Sequence, residues 1–284
     1  MPTQSPTLSP SLVPSVSLLP TTTFRFTCFG ADDGSSYGIL YNAVRSYVDQ
    51  DCANNQQCDI AQVYGWPLNS WCVESVTDMS WLFRGMDTFN EDINGWNTSS
   101  ITGMYGMFEG ASSFNRDLSN FDTSSVTDMT MMFNLAQAFN GNLSTFDTSK
   151  VTSMQGMFYK ASSFNQDVSN FDTSNVTNMN GMFLDATYFN RDLSHFDTSS
   201  VTDMSYMFAR AVSFNRDLSK FNISSVTDMD GMFSEATSFN GDLCSWQDSF
   251  PYTNAFDIFT NSNCTYQDTP NETQKGPFCA SNCQ

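Results

Sequence analysis

Residues 101–125 read ITGMYGMFEGASSFNRDLSNFDTSS, and residues 126–150 read VTDMTMMFNLAQAFNGNLSTFDTSK. Set one under the other, they agree at their apolar, Asn, Ser/Thr and Asp positions. The same 25-residue register runs without a gap from Val76 to Phe250, giving seven copies. Val76, Ile101, Val126, Val151, Val176, Val201 and Val226 open them, and a Met follows three residues later in each, from Met79 to Met229. Two Phe columns, Phe83 to Phe233 and Phe89 to Phe239, recur at the same step. A fixed period of this length marks a repeat solenoid, one copy to each turn. Such a fold presents rows of equivalent side chains on a long face, which suits binding or scaffolding. Catalytic sets need distinct, unrepeated positions, and this chain has few, so it is expected not to be an enzyme.

Within one copy, Ile101, Met104, Met107, Phe108, Ala111 and Phe114 have the spacing of a helical turn or two. Asp117 to Phe121 reads as a short parallel strand, and Asp122-Thr123-Ser124 as a turn. Ser125 with Asp128, and Ser200 with Asp203, carry a capping-box signal for the next short helix. No Pro occurs between Val76 and Phe250, as strands in register require. Seven coils stacked at about 4.8 Å would make a ladder roughly 35 Å long. The Asn row from Asn90 to Asn240 is expected to turn inward at a corner and bond backbone groups left unpaired by the bend.

The flanks differ from the repeats. Residues 1–23 set Pro2, Pro6, Pro10 and Pro14 among Ser and Thr. This composition cannot bury a core and reads either as an O-glycosylated stalk or as a plain linker, a tether in both cases. Residues 24–75 read as an N-terminal cap. A helix from Ser36 to about Val48 puts Tyr37, Leu40, Tyr41, Val44 and Val48 on one face, and Pro67 to Trp71 form a degenerate first turn. Residues 76–250 hold the repeats, and 251–284 form a C-terminal cap. Cys28, Cys52, Cys58 and Cys72 precede the repeats, while Cys244, Cys264, Cys279 and Cys283 lie in the last repeat or beyond it. An even count confined to the ends reads as disulfide-bonded caps. Metal binding is the weaker reading, with no CxxC pair and His195 the one histidine. Pairing is expected within each end, because a disulfide needs Cα atoms within about 7 Å. Cys244 with Cys264 is the favoured single pair.

The charge is −19, from 30 acidic and 11 basic residues. Nucleic acids and anionic lipids need a basic surface, so both are excluded as partners. No apolar run reaches 18 residues, which rules out a spanning helix. The N-terminus lacks the basic start of a signal peptide, so the chain is expected to be a fragment or a mature form with an added Met1.

Two columns vary from copy to copy beside the strand candidates and are the candidate binding residues. One holds Glu91, Arg116, Gln166, Arg191 and Arg216; the next holds Asn120, Thr145, Asn170, His195 and Lys220. The paired Met columns read as buried filler. Asp117, Asp167, Asp192, Asp217 and Asp242 share one register position, and Asp122, Asp147, Asp172 and Asp197 another. Turn capping accounts for them better than calcium, since no run supplies the six to eight oxygens that ion takes. The Thr98-to-Thr198 and Ser119-to-Ser219 columns read as turn and ladder groups rather than an ice-binding array. No cofactor or metal is expected. Sequons at Asn97, Asn142, Asn175, Asn222, Asn263 and Asn271 are possible N-glycosylation sites, and each needs a surface position.

The copies SSVTDMSYMFARAVSFNRDLSKF and SNVTNMNGMFLDATYFNRDLSHF resemble the BspA-type, 25-residue "Mycoplasma surface protein" repeat, DUF285. The flanks YGWPLNSWCVESVTDM and GPFCASNC resemble its stramenopile, diatom-like versions. The resemblance covers about residues 37–284, with small departures at Ile223 in place of Thr and Asn142 in place of Asp. It implies a leucine-rich-repeat-like, right-handed coil, and a secreted or cell-surface setting. It transfers no catalytic residue. The expected function is a non-enzymatic extracellular recognition or adhesion module binding protein or glycan partners. The alternative is a structural component that assembles with copies of itself in a wall, sheath or filament.

Overall fold

The computed structural model describes residues 27–33 and 38–283. The stalk at 1–23, and Ser36 and Tyr37 of the expected cap helix, lie outside them. Among the described residues the repeats contain no α-helix and no continuous strand. The helix and strand expected in each copy are therefore corrected: each coil is a run of tight turns. In the second coil Ile101, Met107, Glu109, Ala111, Phe114 and Phe121 each donate an N–H to the carbonyl three residues back, at 2.9–3.2 Å.

The reason lies in two left-handed positions per coil. In the turn Met104–Met107 the third residue, Gly106, has φ 55°, and Gly110 follows at 72°. A positive φ at the third position makes a type II turn and ends any helix. Gly156, Gly181 and Gly231 serve the same position in other coils, but Trp81, Met131 and Tyr206 adopt it too, at φ 56–59°. An L-residue there costs about 1–2 kcal/mol, so the stacking register, not local preference, sets the conformation. The strand candidate fails similarly, since Phe121 closes a turn onto Leu118 at 2.9 Å. No helix starts after Ser125 or Ser200. Asp128 and Asp203 instead accept the N–H groups of Thr130 and Ser205 at 2.8 and 2.9 Å.

Coil joins coil by two different means. On the Met–Phe side the backbone does it. Met154, Gly156, Phe158 and Lys160 donate N–H bonds to the carbonyls of Asn178, Asn180, Met182 and Leu184 at 2.8–3.0 Å. The residues between them donate to their own turns, so every N–H along this edge is paired. Single-residue parallel bridges run from Asp78 through Gly103, Asp128, Ser153, Asn178 and Asp203 to Asp228. On the other side the partners are side chains, described below.

The apolar columns fill the space enclosed by each coil. Phe158 stacks on Phe133 and Phe183, both at 5.6 Å, and on Phe164 of its own coil at 3.8 Å, with planes within 10°. The two Phe columns thus form one offset-stacked slab, flanked by the Val, Met and Leu columns, all buried. The Met columns are core filler, as their spacing implied.

At the N-terminal end, helix α1 (Ile39–Asp49) and the short helix α2 (Asp59–Tyr64) cover the slab. Leu40 and Val44 are buried, and Tyr47 meets Trp71 edge-on at 5.6 Å. Leu68 and Trp71 form the expected degenerate turn, tied to the first full coil by the Trp96 indole bonding the Leu68 carbonyl at 2.9 Å. At the C-terminal end the stack continues further than the sequence register. Met229, Gly231, Phe233 and Glu235 each donate to Asn254, Phe256, Ile258 and Thr260 at 2.8 Å. Phe259 stacks on Phe233 at 5.9 Å. This eighth, partial coil is displaced by one inserted residue, which hid it from the 25-residue register.

The disulfides are Cys28–Cys72 and Cys52–Cys58 at one end, and Cys244–Cys283 and Cys264–Cys279 at the other. Pairing stays within each end, as expected. Cys244–Cys264 does not form. The eighth coil carries Cys264 to the Phe239 corner, where its Sγ lies 3.7 Å from the Phe239 carbonyl, and Cys279 meets it there.

Candidate recognition faces

The side of each coil that follows the Phe columns is joined to its neighbours by side chains. Six asparagine side chains, Asn90 to Asn215, each accept the backbone N–H of the Asn one coil on, at 2.8–3.1 Å. The row bonds backbone as expected, but it sits half-buried or exposed rather than inward. The Thr column lies inside. Thr98, Thr123, Thr148, Thr173 and Thr198 are each 1% exposed. Their hydroxyls donate to carbonyls on the next coil at 2.8–3.1 Å. At Ile223 that partner would be the Gln247 carbonyl, which already accepts the Tyr252 hydroxyl at 2.8 Å.

Many candidate binding residues belong to this fastening. Arg116, Arg191 and Arg216 donate through Nε to the carbonyls of Asn90, Asn165 and Asn190 at 2.7–2.9 Å. Gln166 does the same to Asn140 at 2.7 Å. Thr145 donates to the Ser119 carbonyl at 2.7 Å, and Asn170 to those of Leu143 and Phe146. His195 Nε2 lies 2.8 Å from the Val168 carbonyl. Asn120 is held through its backbone N–H by Asn94 Oδ1 at 2.9 Å. Glu91 lines a separate cleft of about 270 Å³ beside the cap helix, with Tyr47 and Asp51. Lys220 is exposed and acts electrostatically on Asp192 and Asp217. Arg216 alone of these ten lines the shallow cleft of about 520 Å³ at the C-terminal end, with Asp217, Asp242 and Ser245.

The acidic columns cap turns, except that Asp117 accepts the Asn142 N–H one coil on at 3.0 Å instead. Asp167, Asp192 and Asp217 accept the N–H of the Ser two residues on at 2.8–3.0 Å. Asp122, Asp147, Asp172 and Asp197 bond the next Ser N–H along in the same way. Bonds from the Ser124 hydroxyl and amide hold Asp122 below the usual carboxylate range, and Ser149 and Ser199 act likewise on Asp147 and Asp197. At Asp167, Asp192 and Asp217 the Ser amide is the stronger influence and the hydroxyl the second. One ligand-like cluster occurs among the described residues, Asp242 with Cys244 and Cys283, but its two sulfurs form a disulfide rather than thiolates. Of the sequons, Asn97, Asn175, Asn222, Asn263 and Asn271 are exposed and Asn142 is half-buried.

The opposite, backbone-joined side is where sequence reasoning missed a variable face. Ser80, Trp81, Arg84 and Gly85 head four columns there. Their counterparts change chemistry from coil to coil, as in Tyr105, Gly106, Glu109 and Gly110, or Gln155, Gly156, Tyr159 and Lys160. The eighth coil adds Phe256, Asp257, Thr260 and Asn261. Trp81 meets Tyr105 edge-on at 4.9 Å, and the Tyr105 hydroxyl lies 3.6 Å from Met131 Sδ. Ion pairs bridge coils, Arg84 to Glu109 at 2.9 Å and Arg210 to Glu235 at 3.2 Å. The available signal was the recurrent Gly after the second Met-segment residue, which marks a left-handed turn rather than a helix.

A family model described as a Mycoplasma protein of unknown function, DUF285, matches residues 53–171 and 157–271. These matches span most of the chain, and the chain belongs to this family. No curated protein and no solved structure matches it.

Proposed function

We propose that this DUF285 chain is a non-enzymatic recognition or adhesion module of the cell exterior, a right-handed, leucine-rich-repeat-like coil tethered by its Pro/Ser/Thr-rich N-terminal stretch. Its partners are proteins or glycans met at a surface. The observation that carries the reading is that both ends of the stack are covered by cysteine-bonded caps. A covered stack cannot extend end to end, so its lateral faces are the surfaces on offer. Four disulfides suit an oxidising compartment. No helix among the described residues is long and apolar enough to cross a membrane. Fixed columns secure the coils while other columns vary, which is how a repeat fold separates stability from specificity.

The test is a glycan and surface-protein array probed with the purified chain, run beside sedimentation over a wide concentration range. Selective binding by a monomer is the expected result. Concentration-dependent assembly without selective binding would replace this reading with the self-assembling structural role.

A further inference from the structure

We infer that Asn97, Asn222 and Asn271 carry N-linked glycans, and that the sugars at Asn97 and Asn222 stand on the side-chain-joined side of the stack. The inference deepens the recognition reading and rests on its placing of the chain outside the cell, where such glycans are met. Six Asn-x-Ser/Thr sites occur in the sequence, and the folded coil treats them differently.

Asn97 and Asn222 hold the register position that Asp122, Asp147, Asp172 and Asp197 fill in the coils between them. The turn at this position needs one side-chain oxygen. Asn97 Oδ1 accepts the Ser99 N–H at 3.2 Å and the Ser99 hydroxyl at 2.8 Å, and Asn222 Oδ1 accepts the Ser224 N–H at 3.0 Å. Asp122 and Asp147 accept the N–H groups of Ser124 and Ser149 in the same way. Because the Ser N–H must meet an oxygen, the orientation of each amide is fixed, and Nδ2 lies on its other arm. Among the described residues neither Nδ2 has a hydrogen-bond partner, and both asparagines are exposed. As a turn cap Asn does no more than the Asp of the other coils. What it adds is an amide nitrogen that the fold does not use. Asn271 repeats the arrangement in the C-terminal cap. It is exposed, its Oδ1 accepts the Thr273 N–H at 2.9 Å, and its Nδ2 is likewise unused among the described residues.

Transfer of the sugar leaves this geometry intact. Nδ2 forms a bond to the anomeric carbon of an oligosaccharide carried on a lipid diphosphate. The carbon–oxygen bond to the diphosphate breaks, the diphosphate leaves with the electron pair, and Nδ2 releases one of its two protons. Oδ1 is untouched, so the cap survives. The middle residues Thr98 and Ile223 are 1% and 3% exposed and point into the coil. The Asn before each and the Ser after it therefore face outward, with room for a sugar.

Transfer precedes folding, so the fold decides which sugars the finished coil can carry. Asn175 spends its Nδ2 on a join between coils, donating to the Ser149 carbonyl at 2.8 Å. Asn142 is half-buried, and its backbone N–H is tied to Asp117. Asn263 is exposed, but its Oδ1 caps no turn among the described residues, and Cys264 beside it is bonded to Cys279. Five coils at about 4.8 Å put about 24 Å between Asn97 and Asn222. Asn222 stands two residues beyond Lys220, at one end of a candidate binding column. None of the six sequons falls in the columns headed by Ser80, Trp81, Arg84 and Gly85. The sugars thus crowd the fastening side and leave the variable, backbone-joined face uncovered.

The test is secretion of the full chain from a eukaryotic host, then peptide-N-glycosidase F in heavy-oxygen water and peptide mass spectrometry, which marks each site that carried a sugar. Asn97, Asn222 and Asn271 should be marked in most chains, and Asn142, Asn175 and Asn263 in few. Asn97→Asp, Asn222→Asp and Asn271→Asp should each remove one glycan step on a gel. The first two install the residue that other coils carry in that column, so their melting temperature should hold. A chain that the glycosidase leaves unshifted would overturn the inference. So would marks on Asn142 or Asn175 with Asn97 and Asn222 bare. In either case a partner found on the protein array would leave the recognition reading standing. Assembly without selective binding, by a chain marked at all three sites, would remove that reading alone.

Discussion

The two sides of each coil solve the same problem with different materials. On the Met–Phe side, the N–H groups of Met154, Gly156, Phe158 and Lys160 reach the next coil, and no side chain is needed. On the far side Asn165, Thr148 and Arg191 make the joins with their own amide, hydroxyl and guanidinium groups. Where the backbone fastens, side chains are free to differ, and Trp81, Gly106, Met131 and Tyr206 do. On the far side the Asn and Thr columns that fasten scarcely change, while the columns of Arg116 and Thr145 fasten through side chains that differ from coil to coil.

The contrast can be broken by substitution. Phe158→Ala serves as the common reference, because both sides close on the same slab. It should cost about 3–5 kcal/mol in urea unfolding, the usual figure for emptying a buried Phe site. Next, Asn165→Ala leaves the Asn190 N–H without its acceptor and should cost about 1–3 kcal/mol. Gln155→Ala, on the backbone-joined side, should stay within about 0.5 kcal/mol. Equal costs for these two would dissolve the distinction. Gly231→Ala should cost about 1 kcal/mol from its left-handed backbone plus the collision with the Tyr206 ring. Trimming that ring in Gly231→Ala/Tyr206→Ala should recover the second part, and a double-mutant cycle measures it.

How much of this was legible in sequence follows the same division. The side-chain-joined half could be read in part, because its fastenings are residue types: the backbone bonds of the Asn row, the Asp turn caps and the ladder role of the Thr column follow from composition at a fixed step, but which column faces inward does not, since Thr98 to Thr198 are buried and the Asn row is not. The backbone-joined half could not, because its bonds leave no residue signature beyond a recurring Gly. Helical spacing of Met104, Met107 and Phe108 was real but arose from successive turns that point the same residues inward. The binding columns were placed on the side-chain-joined half because they vary beside the expected strands, and Arg116 and Gln166 turned out to be fastenings. The one-residue insertion before Phe259 concealed the eighth coil, whereas the cysteine positions marked both caps.

Acid tests the Asp caps with a smaller effect. Asp122, Asp147, Asp167, Asp192, Asp197 and Asp217 are held below their ordinary value of 3.8. A depressed folded value contributes stability that is complete above the unfolded value and lost as pH falls through the folded one. The melting temperature should therefore hold from pH 7 to about 5 and fall below about pH 4. Each exposed group contributes little, and the fall reflects their number. The smallest effect expected is that of calcium. Since these carboxylates cap turns singly and no run supplies the six to eight oxygens that calcium takes, millimolar calcium and EDTA should give the same melting curve at fixed ionic strength. A shift of many degrees would make the Asp columns ligands rather than caps.

The caps also decide how the molecule bears tension. Every join between coils runs along the stack axis, so a pull between the chain ends would peel an uncapped stack from its first turn, a few bonds at a time. Cys28–Cys72 and Cys244–Cys283 fasten the terminal segments back onto the stack, and the load enters through a closed loop instead. Once a coil yields, its 25 residues extend to about 85 Å. With near-identical coils, such a chain would lengthen in equal steps under load, absorbing work at each one while the coils not yet released keep their faces intact.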